Sequence, residues 1–198
     1  MVGVWLRCLK PGAQLLLAGA LALGLSGAGH AESCADLAKL PLLHAAIRSA
    51  LVMPAGEFVE ERGERAPIHY PDVPVFCRVS GISSPVPGSR IGFEVWLPLA
   101  KAWTQRLHMV GNGAYGSNLY YAQLVARVQS GDIGVATDTG HDGSSLLFGR
   151  DNPVAIEDWG NRAVHETVVA AKQIVKAYYG RRNAGPISAA RPPEGMRR

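Results

Sequence analysis

The sequence predicts an α/β fold in which an N-terminal antiparallel hairpin leads into a parallel sheet with one long helix. Three observations predict it. Ile91, Phe93, Val95 and Leu97 alternate with Gly92, Glu94 and Trp96, the two-residue period of a strand. Arg106–Val110 and Ile133–Thr137 are short apolar runs that each end in a glycine-bearing loop, as in parallel sheets whose strand ends build the site. Ala163, Thr167, Ala170, Ile174 and Tyr178 recur at helical spacing.

The chain opens with a segment outside that fold. Arg7 and Lys10 supply a positive start, Leu15–Leu25 a short apolar run, and Gly29 and Ala31 sit at −3 and −1 of a cut before Glu32. This is the pattern of a secretory signal peptide over residues 1–31. The apolar run is shorter than the roughly 20 residues a membrane span requires. The expected destination is therefore secreted or periplasmic, with no membrane attachment after cleavage.

Export bears on charge and on cysteine. The formal charge is +4, but residues 32–180 hold 13 basic and 15 acidic side chains. A basic groove with interleaved aromatics is missing, which excludes a nucleic-acid partner. Cys8 leaves with the leader, so Cys34 and Cys77 remain. In an oxidising compartment they either pair or stand as two buried thiols. A pair would close a loop of about 40 residues, worth about 3 to 4 kcal/mol in the chain-entropy treatment.

Ser33, with Asp36 three residues on, suits the start of a short helix that Pro41 interrupts. Ala45–Val52 fits helix or strand. Glu57–Arg65 mixes both charges and reads as a solvated loop. Phe76–Val79 is a strand, Ser83–Gly88 carries turn chemistry, and Arg90–Leu97 is the second strand, with one face buried and the other open. Asn161–Tyr179 is the long helix, with Gly180 at its C′ position. A strand is due next, but Pro186, Pro192 and Pro193 exclude a central one, and residues 181–198 read as a disordered tail.

Two loops are candidates for chemistry. Gly111-Asn112-Gly113 follows a buried strand and offers backbone N–H groups, which makes Gly113 and Ala114 candidate oxyanion-loop donors against a plain glycine turn. The string Gly111–Gly116 mimics G-x-G-x-x-G, but no acidic residue ends a second strand about 20 residues on, as a dinucleotide site needs. Asp138-Thr139-Gly140 is the tripeptide of aspartic proteases. Here it occurs once, followed by His141, between a parallel-type strand and a helix. Asp138 and His141 as metal ligands is a second reading, and a polar loop bonded to its own backbone is the plainest. His165, beside Arg162 and Glu166 on the helix, reads as structural. No G-x-S-x-G occurs, so no catalytic serine, acid or histidine is assigned; no spacing suggests a metal, and no cofactor is expected.

These stretches together resemble the tannase and feruloyl esterase family of secreted serine esterases. The matching strings are Phe76–Gly81, Phe93–Pro98, Trp103–Leu107, Gly111–Gly113, Ala136–His141 and Arg162–His165 running on to Tyr178-Tyr179-Gly180. The resemblance implies an α/β-hydrolase fold, truncated here with its nucleophile strand missing, and hydrolysis of small phenolic esters, gallate or ferulate. It implies that Cys34 and Cys77 pair. The family carries glycine where this chain has Ala114, a departure that tightens the loop and keeps its N–H. Family members are more than twice as long, and their serine, acid and histidine, together with a calcium site in a lid domain, fall beyond the position of Gly180.

In the family the Tyr-Tyr-Gly helix leads into Arg-Ser-Tyr-Phe-x-Gly-Cys-Ser-Thr-Gly-Gly. Read one nucleotide out of phase, residues 185–190 permit Arg-Ser-Tyr-Phe-Ser-Gly, and 191–194 permit Ser-Thr-Gly-Gly after a serine drawn across the Ala190/Arg191 boundary. The resemblance thus implies a frameshifted elbow from about residue 185 onward, against a natural disordered tail. Ser188 is then no nucleophile. A non-catalytic phenolic-ester binding module and a one-copy aspartic protease using Asp138 are the alternatives to an esterase.

Overall fold

The computed structural model describes residues 33–143 and 145–180, together with the backbone of 187–189. The expected leader and most of the expected tail lie outside the described residues. A six-stranded sheet runs in the order β1-β4-β5-β7-β6-β8. Its strands are β1 (Ala45–Met53), β4 (Phe76–Ser83), β5 (Ile91–Pro98), β6 (Leu107–Met109), β7 (Ile133–Thr137) and β8 (Ile187–Ala189). β2 (Gly56–Arg62) and β3 (Arg65–Val73) form a separate antiparallel hairpin. β1, β4, β5 and β7 pair antiparallel in turn, and the parallel part is β7-β6-β8. An antiparallel hairpin does lead into a parallel sheet.

Several elements depart from the sequence reading. The ambiguous Ala45–Val52 is strand β1, drawn into the sheet by pairing with β4 and kinked by a register shift between Ile47 and Ser49. The expected charged loop at Glu57–Arg65 is mostly strand. Gly63, at φ 63°, opens a two-residue turn between Arg62 and Arg65, the glycine-first chemistry of a tight hairpin. The open face expected of β5 is closed: Trp96 is fully buried and Glu94 nearly so. The β2–β3 hairpin and a helix α1 (Tyr121–Gln129) cover it, packing Phe58, Val73, Leu124, Val125 and Val128 around Trp96 and Phe76.

The opposite face carries the larger core. Val79, Phe93, Val95, Leu97, Leu107, Ile133 and Val135 pack against the Ala170, Ala171, Ile174 and Val175 stripe of α3 (Ala163–Tyr179). The expected seam holds, except that Tyr179 rather than Tyr178 is the fully packed ring; its hydroxyl donates to the Pro98 carbonyl at 2.6 Å. A short helix α2 (Pro153–Glu157) and one π-helical turn (Asp158–Arg162) precede α3, where the sequence suggested one uninterrupted helix from Asn161. Gly180 ends it at φ 72°.

Cys34 and Cys77 are joined by a disulfide, with Cα atoms 5.7 Å apart, which pins the first described turn to β4. In that turn the Ser33 hydroxyl donates to the Asp36 carboxylate at 2.6 Å and accepts the Asp36 N–H. Where the sequence reading expects no further strand, β8 pairs parallel with β6 at the sheet's end. Its position agrees with the proline argument, which bars a central strand and permits an edge.

Candidate active site

The parallel pair β6 and β7 brings both candidate loops to one end of the sheet. After Met109 the ladder continues through the Val110 N–H to the Val135 carbonyl at 2.7 Å, and the chain then leaves as Gly111–Gly116. The Asn112 side chain ties this loop across to β7, donating to the Thr137 carbonyl at 2.8 Å. A tight turn follows, closed by the Gly116 N–H on the Gly113 carbonyl at 3.0 Å. Gly113 directs its own N–H at the Tyr120 hydroxyl across a long 3.4 Å. Ala114 sits at φ 49°, the left-handed region where a Cβ is strained. It is exposed, and among the described residues its N–H is given no acceptor.

The second loop locks against the first. The Asp138 carboxylate accepts the N–H groups of Gly92 and Gly140, each at 2.8 Å. Burial pushes its pKa above the ordinary carboxylate value, although both N–H bonds pull the other way. A Cβ at Gly92 would overlap the carboxylate, so this contact requires glycine. Thr139, at φ 60°, sets its hydroxyl 3.1 Å from the Gly116 carbonyl. His141 stands 3.1 Å from Thr139 Oγ1 through Nδ1 and 3.1 Å from the Tyr115 carbonyl through Nε2. A carbonyl oxygen only accepts, so Nε2 carries the proton in that bond. The imidazole stacks on Phe148 at 3.8 Å.

A third element closes the cluster. Trp159, on the π-helical turn, donates its indole N–H to the Ala114 carbonyl at 3.2 Å and stacks on Tyr115 at 5.1 Å. The turn is anchored by Asp158, which is buried, accepts the Ser89 hydroxyl at 2.7 Å and pairs with Arg162. The Ala114 peptide is therefore gripped from outside while Asn112 grips its base.

Gly113, Ala114, Asp138 and His141 thus share one loop cluster, whereas His165 is exposed on the first turn of α3. Sequence reasoning missed Asn112, Tyr120 and Trp159. An indole N–H meeting a carbonyl 45 positions away leaves no local signal. Among the described residues no three His, Cys, Asp or Glu side chains gather to hold a metal ion, so calcium finds no donors in this part of the chain. Among them, too, no helix is long and apolar enough to cross a membrane.

The chain is similar to known esterases. The family model described as tannase and feruloyl esterase matches residues 77–185. An uncharacterized esterase of Xanthomonas campestris pv. campestris is 37% identical over 171 residues, which is 84% of this chain and 29% of that protein. A probable feruloyl esterase B-1 of Aspergillus fumigatus is 33% identical over 104 residues, 52% of this chain and 19% of that one. Among solved structures, feruloyl esterase B from Aspergillus oryzae superimposes with a TM-score of 0.64 at 28% identity, over 74% of this chain and 29% of that one. The chain therefore spans less than a third of the length of these relatives.

Proposed function

Because this chain belongs to the tannase and feruloyl esterase family, we propose that it is the N-terminal part of a secreted carboxylic ester hydrolase acting on phenolic esters, gallates or ferulates. One observation carries the reading. The loop after β6 stands at the carboxyl end of a parallel pair, its Ala114 peptide clamped by Trp159 and its base by Asn112. A fixed N–H in that place meets the negative oxygen that forms when a nucleophile adds to an ester carbonyl. One such donor stabilises the transition state by about 3 to 4 kcal/mol.

The nucleophile is not among the groups this chain supplies, since no G-x-S-x-G occurs in it. In this reading the chain contributes the sheet and the oxyanion loop, residues 32–180 form that part of the hydrolase domain, and the chain alone is inactive. Asp138 is fully engaged by two backbone N–H groups, which supports a structural role over that of a protease aspartate.

The test begins with the nucleotide sequence from the Ala184 codon through the next kilobase or so. If one base restores a serine elbow and a long frame, the restored protein and the present chain are both assayed on methyl gallate and methyl ferulate. Acid release by the restored protein alone is expected. Turnover by the present chain overturns its inactivity, and no turnover by the restored protein overturns the ester substrate class.

A further inference from the structure

A cavity of about 540 Å³ lies between the β2–β3 hairpin and the segment that leads into α1. Its size falls within the range of small-ligand sites. We propose that it binds a neutral polyhydroxylated ligand, one or two sugar units of an oligosaccharide. The proposal does not depend on the ester chemistry.

Three tyrosines line the cavity, and each ring is held through its hydroxyl. Tyr70 donates to Glu60 at 2.7 Å, Tyr121 to Glu94 at 3.0 Å, and Tyr120 receives the Gly113 N–H. The rings are fixed before a ligand arrives, so little is lost in ordering them. Burial, and then the bond to Glu60, push the Tyr70 phenol up to about 12, and burial raises Tyr121 as well. Both remain neutral phenols, whose faces suit the C–H side of a pyranose ring.

The charged part of the lining is balanced. Glu60 and Glu61 face Arg62 and Arg65. A charged ligand meets a repelling pair whichever its sign, whereas a hydroxyl both donates and accepts. Adjacent hydroxyls match a guanidinium fork on one side and a carboxylate on the other. Arg62 and Arg65 stand directly opposite across the hairpin turn, a like-charge pairing that costs stability. Neither forms an ion pair among the described residues, so their donors face the cavity's solvent.

The backbone adds a fourth sign. Tyr120 enters α1 at φ 50°, an outlier for a bulky residue, and no side chain caps the helix there. Such strain persists only where the surroundings hold it, and it collects at binding positions. Here it turns the Tyr120 ring into the cavity lining while its hydroxyl stays on the oxyanion loop.

The probe is cellotriose or xylotriose titrated into the purified full chain by protein NMR, with trigalacturonate as the anionic control. Saturable shifts at Arg62, Tyr120 and Tyr121 are expected with a neutral trisaccharide. Arg62→Ala and Glu61→Gln, both exposed, are each expected to weaken binding about tenfold or more with the fold unchanged by circular dichroism. Absence of saturable shifts with either neutral sugar overturns the proposal. So does binding of trigalacturonate alone, which marks an anion site, or neutral binding untouched by both variants, which places the ligand elsewhere.

Discussion

Arg78 grips Glu94 with two parallel N–H bonds, Nε to Oε2 at 2.8 Å and Nη2 to Oε1 at 2.6 Å, one strand apart and under a lid of aromatic rings. Phe58, Trp96 and Tyr121 each lie within 6 Å of the guanidinium carbon, and the Trp96 indole and Tyr121 hydroxyl add two more donors to the carboxylate. The pair is a closed polar island on the hairpin side of the sheet.

Removing one partner strands a buried charge. Arg78→Met is expected to cost about 3 to 5 kcal/mol, because Glu94 is left desolvated without its counter-ion. The double variant Arg78→Met/Glu94→Gln is expected to recover much of that loss. Urea unfolding of the two singles and the double measures the coupling.

Gly92 and Asp138 form a second coupled pair. Gly92→Ala drives a methyl into the carboxylate and is expected to destabilise by about 1 to 3 kcal/mol. In the Asp138→Ala background the same change is expected to cost far less, since the obstructing group is gone. A double-mutant cycle in urea reads the difference.

The raised pKa of Asp138 carries its own pH signature. Folding favours the protonated carboxyl, so its contribution is complete below the unfolded value of about 3.9 and is lost as pH rises through the folded value. Asp138→Asn keeps the two N–H bonds and removes the charge. Relative to that variant, the parent chain is expected to lose stability between about pH 4 and pH 7. Denaturant midpoints of both proteins across that window test the sign.

Ala114 occupies a left-handed backbone position with a Cβ attached. Ala114→Gly is expected to stabilise by up to about 1 kcal/mol, the steric relief exceeding glycine's extra entropy in the unfolded chain. The thermal midpoint rises if this holds. Binding at the neighbouring Tyr120 cavity is expected to stay unchanged.

The disulfide closes a loop with a sequence separation of 43. Replacing both cysteines by serine is expected to cost about 3 to 4 kcal/mol through the freed unfolded chain. Reduction of the parent chain is expected to match the double variant, read as equal urea midpoints.

Much of the sheet was legible in the sequence because its strands advertise themselves. β5 alternates, β6 and β7 are compact apolar runs, and α3 repeats its small residues at helical spacing. The hairpin β2–β3 hid because its exposed positions carry mixed charge, so Phe58, Val73 and Tyr70 did not stand out as one face. Only Gly63 before Glu64 signalled a turn. α1 was invisible at its start, where a tyrosine in the left-handed region replaces a capping side chain and the first turn holds no acid. The covered face of β5 followed from those two omissions. At the site, the glycine loops were readable and their clamps were not, since Trp159 and Tyr120 act through long-range bonds.

The antiparallel neighbours of β5 set an order of assembly. Val79 faces Val95 across β4–β5, and Val95 faces Val135 across β5–β7, so three valines form one line over three strands. The first pairing closes a short loop. The second must wait for the chain to travel through β6 and α1, which costs more entropy before any contact repays it. The rate-limiting step of folding is then the capture of β7 by a preformed β4–β5 hairpin. Val135→Ala slows refolding, while shortening a side chain on β1, which joins afterwards, mainly hastens unfolding.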